Sequence, residues 1–269
     1  MLATMSSPQP RARDDDLKLH RSTAFGEVSI APCLSQEPVN MGSPPPGSVV
    51  APNYITIGGP ADLPRTTGRG GARNLACRLS YALTPAQVAN LTAGATYAAD
   101  IGLPFTRMIT IHWRAAGVAL ADMARATGRF VDLLAKTLAR HGVKTAWLWV
   151  HENGDGKGWH CHLLAYVPGN LVPVVARLQR GWLRRITGRP YKAKVIYSEP
   201  IGGRLGLEVS NPPLHAINLK TVLGYVLKGA NPKAALRFAL ERLEPGGLVI
   251  GKRCGTSENI GATARKARK

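Results

Sequence analysis

The sequence lacks any run of about 18 uncharged apolar residues and any basic amphipathic anchor, the usual means of crossing or coating a membrane. Cysteine is sparse and scattered. Cys33, Cys77, Cys161 and Cys254 form no C-x-x-C pair, which excludes a zinc ribbon and a disulfide scaffold. The opening Met1-Leu2-Ala3-Thr4-Met5-Ser6-Ser7-Pro8 soon meets Arg and Asp without an apolar h-region, so no secretory signal is expected and the cytoplasm is the expected location. No internal repeat is present. Acidic residues are few, 16 against 35 Lys and Arg, for a formal charge of +19. The imbalance is uneven: residues 1–75 hold seven basic and six acidic residues, while residues 76–269 hold 28 and 10. The basic part is also the part that reads as folded, which implies a polyanionic partner, nucleic acid before membrane.

The absences divide the chain. Residues 1–75, with Pro44-Pro45-Pro46-Gly47 and scattered Ser and Gly, read as a flexible segment that cannot offset its own ordering entropy. Arg69-Gly70-Gly71 within it is a linker that could also touch nucleic acid. Residues 76–250 read as the folded domain and 251–269 as a basic tail.

Within the domain, Thr84-Pro85-Ala86-Gln87 is a capping box with proline at the first helical position, predicting a helix over 85–100. Thr106–Trp113 is β-branched and predicts a strand. Leu120, Met123, Thr127, Val131, Leu134 and Leu138 recur at helical spacing, and Gly142 stops that helix. Strands are predicted over 145–152 and 159–167, joined by a Gly-rich hairpin at 153–158. A helix over 170–187 carries Arg177, Arg180, Arg184 and Arg185, a strand follows over 192–199, and Asn218 caps a helix to Lys228. The order β-α-β-β-α-β-α predicts an α+β fold, a ferredoxin-like split βαβ antiparallel sheet with an added helix.

His160-Cys161-His162 is the densest signal. Strand side chains alternate faces, so the two imidazoles point the same way, half of a metal site. If Glu152 pairs opposite His160 across the hairpin, it joins them on that face and completes an open three-ligand set. A one-residue slip would put His151 there instead. His112 reads as a core histidine before a fourth ligand.

Tyr225 and Lys228 lie three residues apart in an apolar helical run. Taken alone, such a Tyr is ordinarily core and such a Lys ordinarily solvated. A phenol is a poor nucleophile near neutrality unless positive charge favours its phenolate.

Taken together, these residues resemble the motifs of the HUH endonucleases, the rolling-circle replication initiators and their relatives. His160, Cys161 and His162 match the His–hydrophobic–His motif, with Cys as a small hydrophobe. Glu152 stands where some viral-type initiators carry an acidic ligand, Tyr225 and Lys228 match Tyr-x-x-Lys, and Met108–Trp113 resembles the first family motif. The resemblance spans residues 105–230. The absence of a second Tyr within four residues after Tyr225 matches the single-tyrosine class of bacterial plasmid or phage initiators.

The resemblance implies that Mg²⁺ or Mn²⁺ at Glu152, His160 and His162 polarises a phosphate of single-stranded or hairpin origin DNA. Tyr225 then forms a 5′-phosphotyrosine link and releases a 3′-OH, with Lys228 assisting, and a later transfer rejoins strands. Relaxase and transposase are alternatives within the family. A separate host helicase and a polymerase would be partners. The arginine helix and the tail from Lys252 would grip the DNA backbone.

Gly246-Gly247-Leu248-Val249-Ile250-Gly251-Lys252-Arg253 nearly spells a P-loop, but ends in Arg where Ser or Thr must ligate Mg²⁺. Cys254 beside Lys252 and Arg253 is a weak signal for a reactive thiol. A non-catalytic ferredoxin-like nucleic-acid module is the rival reading, although the strands lack the aromatic stacking pattern of such RNA binders. A zinc hydrolase is a second rival, because His₂Glu is also a zinc set.

Overall fold

The computed structural model describes residues 78–267. The expectations for residues 1–75 lie outside the described residues. In chain order the elements are β1 (Leu79–Ser80), α1 (Pro85–Asp100), β2 (Arg107–Ile111), α2 (Met123–Arg140), β3 (Trp147–Gly154), β4 (Gly158–Ala165), α3 (Val172–Thr187), β5 (Ile196–Pro200), α4 (Leu207–Ser210), α5 (Pro212–Val226), α6 (Pro232–Phe238), β6 (Val249–Ile250), β7 (Cys254–Thr256) and α7 (Ala262–Ala267).

The fold is mixed α+β around a five-stranded antiparallel sheet of order β5-β2-β4-β3-β7. The H-x-H strand, β4, is its centre. A small second sheet pairs β1 with β6. The capping box forms as the sequence dictates: Thr84 Oγ1 accepts from the Gln87 backbone N–H, and Gln87 Oε1 accepts from that of Thr84. Gly142 follows α2 with φ of +72°, a conformation glycine adopts without a Cβ penalty.

Strand alternation sorts the core into two layers. Ile109, Ile111, Trp149, Cys161 and Leu163 face one way and pack with Phe130 and Leu134 of α2 and Trp182 and Leu183 of α3. Leu148, Val150 and Leu164 face the other way, packing with Val88 and Leu91 of α1 and Val226 of α5. Glu152, His160 and His162 have the parity of the second set. They therefore emerge on the α1/α5 face, and α3 with its arginines lies on the opposite one.

Two expectations need correction. The last long helix begins at Pro212, not at Asn218, because Asn211 Oδ1 accepts from the Leu214 N–H and two prolines fill the first turn. It ends at Val226, so Lys228 lies beyond its C-terminus. The supposed tail from residue 251 is also no simple tail: β7 pairs with β3, and Ile260 is fully buried in the second core layer. Its basic composition conceals a short edge strand because Arg253 is itself buried, 2 % exposed. Its guanidinium donates to the carbonyls of Ser80, His151, Gly246 and Gly247.

The P-loop-like run has a different use. Gly247 adopts φ of +65°, and a Cβ there would stand 1.8 Å from the Asn153 carbonyl oxygen. Asn153 N–H donates to the Gly246 carbonyl at 2.9 Å, and Asn153 Nδ2 to that of Leu248 at 3.1 Å. The glycines let this segment lie directly against β3, next to Glu152.

Candidate metal centre and its surroundings

The hairpin register decides the ligand set. Glu152 pairs with His160 and His151 with Cys161, placing Glu152 on the face of the two motif histidines. One ligand atom from each of Glu152, His160 and His162 falls within 4.8 Å of the others, and all three residues are buried. His160 Nε2 is 3.4 Å and His162 Nε2 3.6 Å from Glu152 Oε2.

Outer contacts orient both rings. His160 Nδ1–H donates to the Gly158 carbonyl at 2.8 Å, and its Nε2 faces Glu152. His162 Nδ1 lies 3.0 Å from Thr110 Oγ1 on β2. This is the arrangement metal-binding imidazoles use, one nitrogen held by the protein and the other aimed inward. Within the cluster, His162 Nε2 and Glu152 Oε1 are buried without a hydrogen-bond partner among the described residues. Buried polar atoms ordinarily have partners. A divalent ion would satisfy both, so the residues present fit such a group.

His151 is a different kind of histidine. Its Nδ1–H donates to the Lys252 carbonyl at 2.9 Å, so its Nε2 accepts from Thr127 Oγ1 at 2.8 Å. Trp113 Nε1–H donates in turn to Thr127 Oγ1 at 2.9 Å. With both nitrogens engaged and full burial pushing its pKa down to about 3, it is a neutral core residue. It offers no ligand atom.

Lys228, 4 % exposed, bonds Glu152 Oε2 through Nζ and lies 3.4 Å from Glu244 Oε2. Burial would raise the Glu152 carboxyl, but its contacts with His160, His162 and Lys228 outweigh this and hold it well below the usual carboxylate range. For His162, burial wins over the favourable carboxylate and lowers its pKa, which keeps the imidazole available as a neutral ligand. Tyr225, half-buried on the last turn of α5, places its ring centroid 5.2 Å from that of His162. Lys228 Nζ lies 4.9 Å and Arg242 Cζ 5.2 Å from the Tyr225 ring centroid.

The structure therefore brings together Glu152, His160, His162, Tyr225 and Lys228. His112 stays outside the ligand group, with its ring 5.5 Å from that of His160. The arginines of α3 are not brought to the cluster. The sequence reading missed Thr110, Arg242 and Glu244. Alternation along β2 could have flagged Thr110, whereas Arg242 and Glu244 sit in a segment without a periodic signal. Burial pushes the Cys161 thiol up to about 12 and the Cys254 thiol up to about 11, so neither is a reactive thiolate.

No family model and no curated protein matches the chain. Among solved structures, the chain is similar to the N-terminal nuclease domain of non-structural protein 1 of minute virus of mice. That domain is described as having Zn²⁺ coordinated in its active-site pocket and a mode of DNA recognition at the origin of replication. The match has a TM-score of 0.25 and 9 % identity, covering 50 % of this chain and 70 % of that one. No helix among the described residues is long and apolar enough to cross a membrane.

Proposed function

We propose that this protein is a metal-dependent endonuclease of the HUH type that nicks and rejoins single-stranded or hairpin DNA at a replication origin, with Tyr225 as nucleophile. The observation that carries the reading is the convergence of two sequence motifs, His160–His162 and Tyr225–Lys228, whose nearest residues are 63 positions apart. Tyr225 and Lys228, from the end of α5, stand against the buried carboxylate and imidazoles delivered by β3 and β4. The placement of β4 between β2 and β3 supports the ferredoxin-like reading of the sheet.

Glu152, His160 and His162 would hold the divalent ion, Mg²⁺ or Mn²⁺. Bound there, such an ion supplies positive charge that stabilises a phosphoryl group under attack. Tyr225 Oη attacks phosphorus, forming the 5′-phosphotyrosine bond, while the bond to the 3′ oxygen breaks and that oxygen leaves as a 3′-OH. The phenol proton passes to solvent, and solvent returns a proton to the departing 3′ oxygen. Lys228, an ammonium bonded to Glu152, acts as a fixed positive charge beside the phenol and not as its base. Arg242 on the same ring adds a second cation. A polymerase would then extend the free 3′ end, with a separate host helicase as a further partner.

The test is incubation of the full chain with end-labelled single-stranded oligodeoxynucleotides and Mn²⁺, resolved on a denaturing gel. A covalent adduct that disappears in Tyr225→Phe and in the presence of chelator is the expected result. Adduct persisting in Tyr225→Phe overturns the assignment of the nucleophile. Metal-dependent cleavage without any adduct would favour hydrolysis at a His₂Glu zinc centre.

A further inference from the structure

Five aromatic rings run in an unbroken row from the end of α5 to the outer strand of the sheet. Beyond Tyr225 and His162, the His162 and His160 centroids are 4.9 Å apart, His160 and His112 5.5 Å, and His112 and Tyr197 5.8 Å. All five line one cavity of about 450 Å³. The first three rings have roles in the reading given above. His112 and Tyr197 have none, yet they form the outer half of the same trough.

Their placement follows from register. Thr110 on β2 pairs with Tyr197 on β5, and His112 lies two residues beyond Thr110 on the same face. Because β5 is an edge strand, no strand beyond it among the described residues covers Tyr197, which is 44 % exposed. A large aromatic held in the open beside a polar cavity is a surface for a flat ligand. Lys157, at the tip of the β3–β4 turn, lines the same cavity, as does Glu199 two residues after Tyr197. The carboxylate of Glu199 disfavours a phosphate at the β5 end, whereas Lys157 favours one near the hairpin.

We infer that His112 and Tyr197 form a nucleobase subsite, which stacks one base of single-stranded DNA adjoining the phosphate at the metal centre, with Lys157 on the backbone. The inference rests on the nuclease reading for the identity of the polymer. Stacking on an aromatic side chain is tolerant of sequence and depends on the base being present. It therefore separates from backbone charge, which an abasic strand retains.

The experiment compares fluorescein-labelled dT12 with a 12-mer of abasic sites carrying the same phosphates, by anisotropy on the full chain without added metal. Wild-type protein is expected to prefer dT12 by roughly tenfold, the scale of one stacked base. Tyr197→Ala should lose that preference by weakening dT12 alone, and Tyr197→Phe should keep it. A wild-type protein indifferent to the missing bases, or an undiminished preference in Tyr197→Ala, overturns the subsite. The nuclease reading fails separately. Wild-type protein that makes no adduct with Mn²⁺ but still shows the Tyr197-dependent preference retains the subsite and loses the chemistry. Adduct formation with a Tyr197-independent preference does the reverse.

Discussion

The ammonium of Lys228 and the carboxylate of Glu152 meet inside a cluster from which solvent is nearly excluded, each side chain no more than 5 % exposed. The pair occupies the carboxylate oxygen that both His160 and His162 approach. A cation is thus already bound where a divalent ion would be expected, and it comes from Lys228, two residues beyond the end of α5. Loading of a metal there would be coupled to the position of Lys228 through one oxygen. Glu244, 3.4 Å from Lys228 Nζ, offers the ammonium a second carboxylate.

Replacing Lys228 by Met removes one partner of a buried pair and leaves Glu152 uncompensated. Denaturant unfolding without metal should show a loss of about 3–5 kcal/mol. Calorimetric titration with Mn²⁺ should show tighter binding, because the competing ammonium is gone. Weaker binding in Lys228→Met would mean that the lysine supports the ligand set.

The pH dependence of stability follows from His151. Its folded pKa is depressed to about 3 by burial, whereas in the unfolded chain it titrates near 6.5. Below about pH 6.5 the unfolded chain takes up a proton that the folded protein refuses. The stabilisation is complete above that pH and is lost as pH falls toward 3, by at most about 1.4 kcal/mol per unit. Glu152 acts in the same direction but only below the ordinary carboxylate range, since its pKa too is depressed. Urea unfolding between pH 7 and pH 5 should therefore fall more steeply in wild-type protein than in His151→Gln. The residual slope of that variant comes from His112 and His162, whose pKa values burial also lowers.

Ending the chain after Ile250 should abolish folding, although that boundary leaves all five proposed site residues in place. It deletes β7, Ile260 and the guanidinium that bridges β1, β3 and the Gly246-Gly247 turn. Arg253→Ala alone should cost about 3 kcal/mol or more, because buried carbonyls lose a charged donor. Circular dichroism and chemical denaturation check both, and a folded truncated protein would relegate residues 251–269 to an accessory role.

Gly247→Ala should destabilise by about 1–3 kcal/mol, since the left-handed backbone and the 1.8 Å approach to Asn153 leave no room for a methyl group. Thermal unfolding of the wild-type protein should not respond to Mg-ATP. A clear upward shift with nucleotide would restore the P-loop reading of this turn.

The elements with a local cause were legible in the sequence. The Thr84–Gln87 box fixed the start of α1, and β alternation put His160 and His162 on one face before any partner was known. The Gly-rich hairpin brought β3 back to β4 within hydrogen-bonding reach. Each rests on neighbours a few residues apart, which the chain order states directly. The start of α5 was misplaced because Asn218 and Asn211 are both acceptable caps, and Pro212-Pro213 outweighs the first.

The tertiary structure alone decided what depends on distant partners. Glu152 and His151 are adjacent in sequence, and either could have completed the metal set. The choice came from Thr127 and Lys252, which satisfy both nitrogens of His151 on the α2/α3 face and leave Glu152 to the α1/α5 face. The burial of Arg253, the strand hidden in a basic tail, and the meeting of Lys228 with Glu152 likewise join residues 76 to more than 100 positions apart. Local propensity carries no record of such pairings, because their free energy exists only once the sheet has closed and water has left.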